Sequence, residues 1–516
     1  MKILNKIGHV FHIEGYYGPD EILVTLLEEK ESPKKTDFIM IDVSGKEILF
    51  QVVTPMFEYD SFGYEKEAIQ KGIWEKAFDE EKLRRVIKAR QIGFFDEYGN
   101  LQPYLDAIPP MSTAYMPSKE KIEEIILPKA KYKLKIGKRY PKEDIEIYVD
   151  LERVLRQGML ITGGVGTGKT TTLGTALYNL LKMKNLSPKI LLIDPDGELG
   201  SQDVINLANE REGYVQVSCE KKSDFVRGSS YDVNSFKNKF EKIFAMGPTS
   251  KIIKTISACA NSAQKDDIPL TVNNFTKIIE KYCINNESKE DILELWKKYE
   301  DRVLGQERTK GGFNIPDLIR RNTIVHIDGS TSSDFDNFLY ASLVALESCF
   351  NEAINDKSFG LIAVIDEAHL IAPQFSEDQI GDYNIHKELT KLLKSRIATT
   401  GPRNGMSLWL TTQRLAKLDK TLSTQAGQNM IAHSCEDVDF KRLIDIVGPE
   451  YAMSAKFLPR GHALVKSAGL KIFNAPLLIH IKKEIDVKSA ETSLLNRWNK
   501  DFEKRKQKKE DAKTFM

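Results

Sequence analysis

The chain has 516 residues, of which 41% are apolar and 29% charged, and its formal net charge is +1. These values predict a soluble globular protein of two or three domains and argue against a broad basic face, although a basic channel could exist within a neutral total. No run reaches the eighteen or so apolar residues of a membrane span, and we find no signal-peptide core. The five cysteines are scattered without a C-x-x-C pair, so we expect no zinc site, no disulfides and a cytoplasmic location.

The N-terminal region is predicted to be rich in β-strands. Three apolar runs, 22–27, 38–41 and 48–53, are separated by turn residues and favour a small β-barrel or meander. From Tyr64 to about Arg90 the pattern is helical and rich in charge, and Pro103, Pro109 and Pro110 then indicate a linker. We therefore expect a β-rich domain with its linker over 1–140, a nucleotide-binding core over 141–485 and a helical tail over 486–516.

A glycine-rich segment between an apolar strand and a helix carries the strongest motif. Residues 163–170 read Gly-Gly-Val-Gly-Thr-Gly-Lys-Thr and match G-x-x-x-x-G-K-[ST], the phosphate loop of nucleotide hydrolases. The strand 159–162 precedes it and leucines at helical spacing follow it, which favours a phosphate loop over a glycine-rich turn with an accidental lysine. The predicted ATP-binding residues are Gly163, Gly164, Val165, Gly166, Thr167, Gly168, Lys169, Thr170 and Thr171. Lys169 is expected to contact the β and γ phosphates, and the Thr170 hydroxyl to ligate Mg²⁺.

Apolar strands alternating with helices predict an α/β fold with a parallel sheet. The runs 189–194, 322–328, 361–367 and 407–413 are apolar and end in polar residues, and ligands bind at such strand ends. Between about 236 and 315 only helical patterns occur, which predicts a helical insertion in the core.

Two strand ends supply candidates for catalysis. Asp366-Glu367 follows an apolar strand: Asp366 would hold Mg²⁺ through water, and Glu367 would act as the general base. The alternative is a pair of acids that opens a helix. Gln413 ends the neighbouring strand and could contact the γ-phosphate and the attacking water, or be an ordinary turn residue.

Further polar groups have more than one interpretation. The acids of Asp194-Pro195-Asp196-Gly197-Glu198 could order a metal or water, or simply build a turn on Asp-Gly. Three arginines, Arg403, Arg396 and Arg156, are candidates for completing the site of an adjacent subunit, with a surface or interface ion pair as the alternative. We expect Arg403 to lie in a loop at the ligand edge of the sheet.

These motifs together resemble the HerA branch of the HerA–FtsK ATPases. The matching segments are Asp150-Leu151 leading into the phosphate loop, Ile193 to Glu198, Ile365 to His369, Arg396 to Arg414, and Leu458-Pro459-Arg460-Gly461. The chain departs from the family pattern at Leu415, where proline is usual, and at Gly401 to Asn404, where the usual loop is Gly-Arg-Lys. The resemblance implies a RecA-like P-loop NTPase core, an N-terminal small β-barrel and a homo-hexameric ring.

The function implied by the resemblance is an ATP-driven translocase or helicase on double-stranded DNA. Such proteins work with a NurA-like nuclease in DNA end processing, or with an effector in antiviral defence. Two alternatives stay open: a conjugation or secretion ATPase, and a scaffold whose ATPase gates a partner enzyme. Asp366-Glu367-Ala368-His369 also matches the Asp-Glu-Ala-His motif of a large helicase superfamily. Those helicases need two tandem nucleotide-binding domains, and this length accommodates only one, so we interpret the match as coincidence.

Overall fold

The computed structural model describes residues 5–11, 20–27, 32–59, 83–221, 225, 233–266, 268, 270, 275–299, 313–375 and 380–485. The predicted C-terminal helix, 486–516, lies outside these residues. No helix in the described part of the chain is both long and apolar enough to cross a membrane.

The strands are, in chain order, β1 (Asn5–Phe11), β2 (Glu21–Leu26), β3 (Phe38–Val43), β4 (Lys46–Tyr59), β5 (Leu83–Phe95), β6 (Leu101–Gln102), β7 (Thr113–Met116), β8 (Lys133–Arg139), β9 (Glu146–Asp150), β10 (Met159–Thr162), β11 (Ile190–Asp194), β12 (Tyr214–Ser218), β13 (Ile324–Asp328), β14 (Leu361–Ile365), β15 (Met406–Thr412), β16 (Asn429–Ala432), β17 (His462–Ser467) and β18 (Leu477–His480).

The α-helices are α1 (Lys119–Ile126), α2 (Leu151–Gln157), α3 (Lys169–Leu181), α4 (Gln202–Asn209), α5 (Val233–Phe244), α6 (Lys251–Lys265), α7 (Phe275–Tyr282), α8 (Asn286–Lys297), α9 (Ile315–Arg321), α10 (Phe335–Asn355), α11 (Ala368–Ile371), α12 (Tyr383–Leu392), α13 (Ala398–Thr400), α14 (Lys420–Ala426), α15 (Asp437–Val447) and α16 (Pro449–Lys456). A π-helical turn, Leu393–Ile397, links α12 to α13, and short 3-10 helices cover Gly329–Thr331, Gly401–Asn404 and Leu415–Lys417.

The N-terminal strands close into a barrel. Six antiparallel strands follow one another in the order β2-β1-β7-β3-β4-β5, and β5 pairs back onto β2, so neither end strand is left as an open edge. The interior is filled by buried branched and aromatic side chains such as Val24, Ile39, Phe50 and Ile87. The predicted small β-barrel is therefore confirmed.

One part of the barrel contradicts the sequence prediction. The helix predicted to reach about Arg90 is wrong over its last residues, because Leu83–Phe95 forms β5 between β2 and β4. Val86 and Ile87 are buried, whereas Lys88 and Arg90 reach Glu21 on β2, at 2.8 and 2.9 Å. The charged residues that suggested a solvated helix face instead form cross-strand ion pairs. The earlier part of the predicted helix, 60–82, lies outside the described residues.

Residues Met1–Thr172 and Ile362–Lys482 form one compact unit, which contains the barrel and a second sheet. In that sheet the strand order is β14-β15-β10-β16-β17-β18-β8-β9. Strands β15, β10 and β16 are parallel to one another, whereas each adjacent pair from β16–β17 to β8–β9 is antiparallel. The strand that precedes the phosphate loop, β10, is thus separated by one strand, β15, from β14, the strand that Asp366 follows. This is a RecA-like P-loop core, as predicted.

A second compact unit comprises Leu173–Leu361. Its strands β11, β13 and β12 are parallel, with Asp194, Asp328 and Ser218 in register at their carboxyl ends. Helices α5 to α8 follow β12 in the chain and enclose an aromatic core in which Phe240 stacks on Phe275 at 4.0 Å between ring centroids. These helices are the predicted insertion.

The barrel is attached to α16 by polar contacts within the first unit. The buried Tyr451 hydroxyl donates to Gln51 Oε1 at 2.8 Å, and Gln51 Nε2 donates to the Pro476 carbonyl at 2.8 Å. Arg90 of the barrel also pairs with Glu450 at 3.0 Å. Because buried polar groups are costly when unpaired, these bonds fix where the barrel meets α16.

Replacing Tyr451 by phenylalanine should destabilise this junction. The change leaves Gln51 Oε1 buried without its donor, which costs about 1–3 kcal/mol. Denaturant unfolding followed by circular dichroism should show this loss, whereas Tyr98→Phe, at a position that is 82% exposed, should leave stability unchanged. Equal stability of Tyr451→Phe and wild type would show that the bond contributes nothing.

Candidate active site

The phosphate loop has the backbone conformation that its glycines permit. Gly166 and Gly168 have φ of +72° and +118°, a region that a side chain with a Cβ rarely adopts. The Thr167 hydroxyl and the Lys169 ammonium both donate to the Gly164 carbonyl, at 2.8 and 3.1 Å. The loop is therefore folded on itself, in the manner required for backbone N–H groups to converge on phosphate oxygens.

The segment after β16 holds the phosphate loop from one side. Gly164 donates its backbone N–H to the Ser434 carbonyl at 2.7 Å, and a Cβ on Gly163 would lie 2.6 Å from the Cβ of His433. His433 Nε2 lies 2.8 Å from the Thr172 hydroxyl in α3, and its Nδ1 lies 2.9 Å from the His462 carbonyl. The imidazole thus connects the helix that follows the loop to the start of β17.

The protonation state of His433 follows from its surroundings. Burial lowers its pKa from 6.5 to about 4, and the charge of Lys169 acts in the same direction. The ring is therefore neutral near pH 7. Since the His462 carbonyl can only accept, Nδ1 carries the proton, and Nε2 accepts the hydrogen bond from Thr172.

The two acids after β14 are both buried. Asp366 accepts a hydrogen bond from the Thr411 hydroxyl, on the neighbouring strand β15. Glu367 has φ +43° and ψ +49°, the left-handed conformation that residues other than glycine seldom adopt. Such strain is retained where surrounding contacts impose it, and it is common at functional sites.

Three neighbours keep Glu367 ionised. Burial opposes ionisation, but the hydrogen bonds from His369 and from the Gln413 backbone, together with the charge of Lys169, hold the pKa of Glu367 below its ordinary value. The Gln413 N–H donates to Glu367 Oε2 at 2.9 Å, and His369 Nδ1 lies 3.3 Å from the same oxygen. An ionised, oriented carboxylate is what a general base for water requires.

Gln413 and Glu367 are in contact, but the contact is made by the backbone N–H of Gln413 rather than by its side-chain amide. Three residues near them were missed by the sequence reasoning: Thr411, Thr412 and His369. His369 Nδ1 also lies 3.0 Å from the Thr412 hydroxyl. The sequence did contain a signal for them, since two threonines end the apolar strand β15. Both are fully buried, and buried hydroxyl groups need hydrogen-bond partners.

The residues at the site suit Mg²⁺. Thr170 offers a hydroxyl and Asp366 a carboxylate, and Mg²⁺ is typically held by one or two protein oxygens together with water and substrate phosphates. Bound there, Mg²⁺ would neutralise phosphate charge.

All three candidate arginines lie away from the phosphate loop, and Arg403 is not at the ligand edge of the sheet, where the sequence predicted it. Arg403 belongs to the 3-10 helix Gly401–Asn404, which precedes β15, whereas the phosphate loop follows β10, and these strands are parallel. Arg403 is thus at the opposite edge of the sheet, roughly 20 Å from Gln413 along the strand, and its predicted place at the ligand edge is wrong. Arg396 and Arg156 also precede the amino ends of β15 and β10; Arg156 is exposed and pairs with Glu152 at 2.7 Å.

The acids after β11 form a turn. Asp194 is fully buried and accepts backbone hydrogen bonds from Gly197 and Leu199, both at 2.8 Å, and lies 3.2 Å from His326 Nε2. Gly197 has φ +71°. With these partners the Asp194 carboxylate caps its own loop, which favours the turn interpretation.

Comparisons with known proteins found one family model and two similar proteins of known sequence. Residues 134–304 match the family model described as "Helicase HerA, central domain". Two proteins of Methanocaldococcus jannaschii are similar: "Probable helicase MJ1565", 21% identical over 72% of this chain and 71% of the relative, and "Probable helicase MJECL08", 22% identical over 70% and 73%.

Two solved structures illustrate more distant similarity. VirB4 of Thermoanaerobacter pseudethanolicus is 14% identical with a TM-score of 0.38, over 68% of this chain and 96% of that one. The plasmid coupling protein TrwB in complex with ADP and Mg²⁺ is 14% identical with a TM-score of 0.39, over 72% and 94%.

The two central side chains should separate binding from turnover. Lys169→Ala should abolish hydrolysis and weaken ATP binding, because a phosphate-neutralising charge is lost. Glu367→Gln should keep ATP binding and lower kcat about 10²–10⁴-fold, since the amide cannot accept a proton. Steady-state ATPase assays with calorimetric ATP binding measure both effects. Wild-type turnover by Glu367→Gln would remove Glu367 as the base.

His433 should make the folded state sensitive to acid. Its pKa is 6.5 when unfolded and about 4 when folded, so its contribution is complete above pH 6.5 and is lost as the pH falls towards 4. Over that window the wild type should lose up to about 3 kcal/mol more than His433→Gln, which cannot titrate. Denaturant unfolding at a series of pH values tests this; parallel curves for the two proteins would contradict it.

Proposed function

We propose that this chain, a HerA-like ATPase of the HerA–FtsK superfamily, uses ATP hydrolysis to move along double-stranded DNA as a homo-hexameric ring. The observation that carries the proposal is a match to the HerA central domain together with a phosphate loop, Glu367 and Gln413 at one edge of the same sheet. In that site Lys169 is close enough to Glu367 for its charge to lower the carboxylate's pKa, and the Gln413 N–H binds the same carboxylate.

The chain's own groups divide the work of hydrolysis. The Lys169 ammonium neutralises charge on the β and γ phosphates, and backbone N–H groups of the loop bind their oxygens. The Glu367 carboxylate accepts a proton from the attacking water while His369 and the Gln413 backbone keep it oriented. The Gln413 amide, at the end of the adjacent strand, orients that water.

Ring assembly would supply the arginine that the proposed site does not receive from its own chain. Arg156, Arg396 and Arg403 all lie at the edge of the sheet opposite the phosphate loop. A head-to-tail ring apposes two different surfaces of neighbouring subunits, so a cation on the opposite edge can reach the site of the next subunit. Arg403 is exposed and is the best single candidate, with Arg156 and Arg396 as the others.

DNA contacts in this proposal are local and directed to phosphates. A net charge of +1 offers no broad basic face, so individual loops must provide the contacts. Lys221, which is exposed after β12, begins one candidate loop. Its other predicted members, Lys222 and Arg227, lie outside the described residues.

The proposed setting is the cytoplasm, with a partner enzyme. All five cysteines are free and four are buried, which suits a reducing compartment. The partner would be a NurA-like nuclease in DNA end processing or an effector in antiviral defence. These assignments rest on the family resemblance.

Duplex DNA should stimulate the ATPase without sequence preference. We expect kcat to rise several-fold with long duplexes of unrelated sequence, and the DNA concentration for half-maximal stimulation to increase steeply with salt, because counterions are released on binding. An ATPase that is active but indifferent to DNA would contradict the translocase and favour a secretion-type ATPase or a gating scaffold. Glu367→Gln, which should bind DNA without hydrolysis, is the matched control.

Hydrolysis should depend on Arg403 of the neighbouring subunit. Arg403→Ala alone should lose roughly 10³–10⁵ in turnover, the usual effect of removing such an arginine. Rings mixed from Arg403→Ala and Lys169→Ala subunits should regain activity, since some interfaces then combine an intact lysine with an intact arginine. Full activity of Arg403→Ala alone, or no recovery in mixed rings of normal size, would exclude Arg403 and direct the same test to Arg156 and Arg396.

A further inference from the structure

A tight turn between α16 and β17 rests directly on the phosphate loop. The turn Pro459–His462 is closed by a hydrogen bond from the His462 N–H to the Pro459 carbonyl, at 3.1 Å. Gly461 has φ +78°, as the third residue of a type II turn requires, and Arg460 stands before it. The Gly461 N–H donates to the Thr167 carbonyl of the phosphate loop at 3.2 Å.

The turn is held rigidly by its other contacts. The Ile481 N–H donates to the Gly461 carbonyl at 2.8 Å. The His462 ring stacks on His480 with centroids 4.5 Å apart and meets the edge of Tyr140 at 4.4 Å. The backbone at the tip of such a turn is positioned before any ligand arrives, so that binding there orders only the side chain.

Strand order shows which end of a nucleotide the turn faces. The phosphate loop follows β10, which lies between β15 and β16. Glu367 and Gln413 end β14 and β15, so the γ-phosphate belongs on that side of the loop. The α-phosphate and nucleoside must then extend towards β16 and β17, where the turn contacts Thr167.

Arg460 provides a positive charge in the turn Pro459–His462. Its side chain is exposed at the tip of the turn, and within the described chain no carboxylate forms an ion pair with it. Its neighbour Gly461 is so close to the loop that a Cβ on Gly168 would lie 3.6 Å from the Gly461 nitrogen. A guanidinium reaches several ångströms beyond its Cα and can bind a phosphate with two N–H groups or stack on a base.

We propose that Arg460 binds the nucleoside end of ATP, at the α-phosphate and the adjoining ring system, within its own subunit. This end is the same in ATP and ADP and does not change during hydrolysis. The contact therefore stabilises the ground state and the transition state equally, which affects KM but not kcat. The proposal rests on nucleotide binding at the phosphate loop, and it is independent of whether the protein moves along DNA.

The test compares Arg460→Ala with wild type in the absence of DNA. We expect KM for ATP and the calorimetric Kd for unlabelled ADP to rise by the same factor, about tenfold, as for the loss of one charge-assisted contact. The kcat at saturating ATP should stay within about twofold. Arg460→Lys, which keeps a charge but not the planar fork, should lie between the two, and Arg321→Ala, an exposed arginine elsewhere, should match wild type.

Three results would overturn the proposal. An unchanged affinity for ADP would show that Arg460 does not contact the nucleoside end, and a fall in kcat at constant KM would assign it to the reacting phosphate instead. Mixing Arg460→Ala with Lys169→Ala subunits should leave KM raised, because the defective turn and the intact lysine share one site. Return of the wild-type KM in the mixture would place the contact between subunits and contradict the assignment.

Discussion

The parallel pairing of β10 with β15 is the constraint on which the site depends. Thr162 lies opposite Thr412, so the first residues of the phosphate loop and Gln413 leave the sheet at the same level. The next strand, β14, brings Asp366 and Glu367 to that edge. A shift of one residue in this pairing would turn the strand-end side chains to the other face of the sheet. The same strand polarity places Arg403 at the opposite edge of the sheet, so its proposed role in hydrolysis requires a neighbouring subunit.

Two kinds of polar contact stabilise this arrangement. One is electrostatic: Glu367 stays ionised in a buried position because His369, the Gln413 backbone and Lys169 offset the loss of hydration. The other is a set of hydrogen bonds from the β16–β17 side, in which Ser434, His433 and Gly461 each hold part of the phosphate loop or its helix. Because α16 precedes this region and also binds the barrel through Tyr451, barrel and phosphate loop share one connected framework.

The sequence predicted most of the fold because its signals were local. Alternating strand runs, the insertion helices and the phosphate loop each show a period or a motif that a short window contains. β5 was mistaken for a helix because its charged residues find partners on β2, a strand far away in the sequence. The same limitation applied to β7, whose place in the barrel is set by pairing with β1 and β3.

The candidate active site was predictable where a residue would act through its own chemistry. Lys169, Asp366 and Glu367 stand in motifs, whereas His433 and Thr411 matter through distant partners that only the folded chain brings together. The edge on which Arg403 lies could have been deduced from strand polarity, because a loop that enters a parallel strand lies opposite the one that leaves it. Its role in a neighbouring subunit is a prediction that depends on the ring.

Movement along duplex DNA is the central claim, and displacement of a DNA triplex tests it most directly. A labelled third strand is annealed in the major groove of a long duplex, and its release is followed after ATP is added. If the protein moves along the duplex, release requires hydrolysis, is absent with Glu367→Gln and is delayed as the distance from the duplex end to the triplex grows. Vigorous DNA-stimulated ATP hydrolysis without release of the third strand would contradict it.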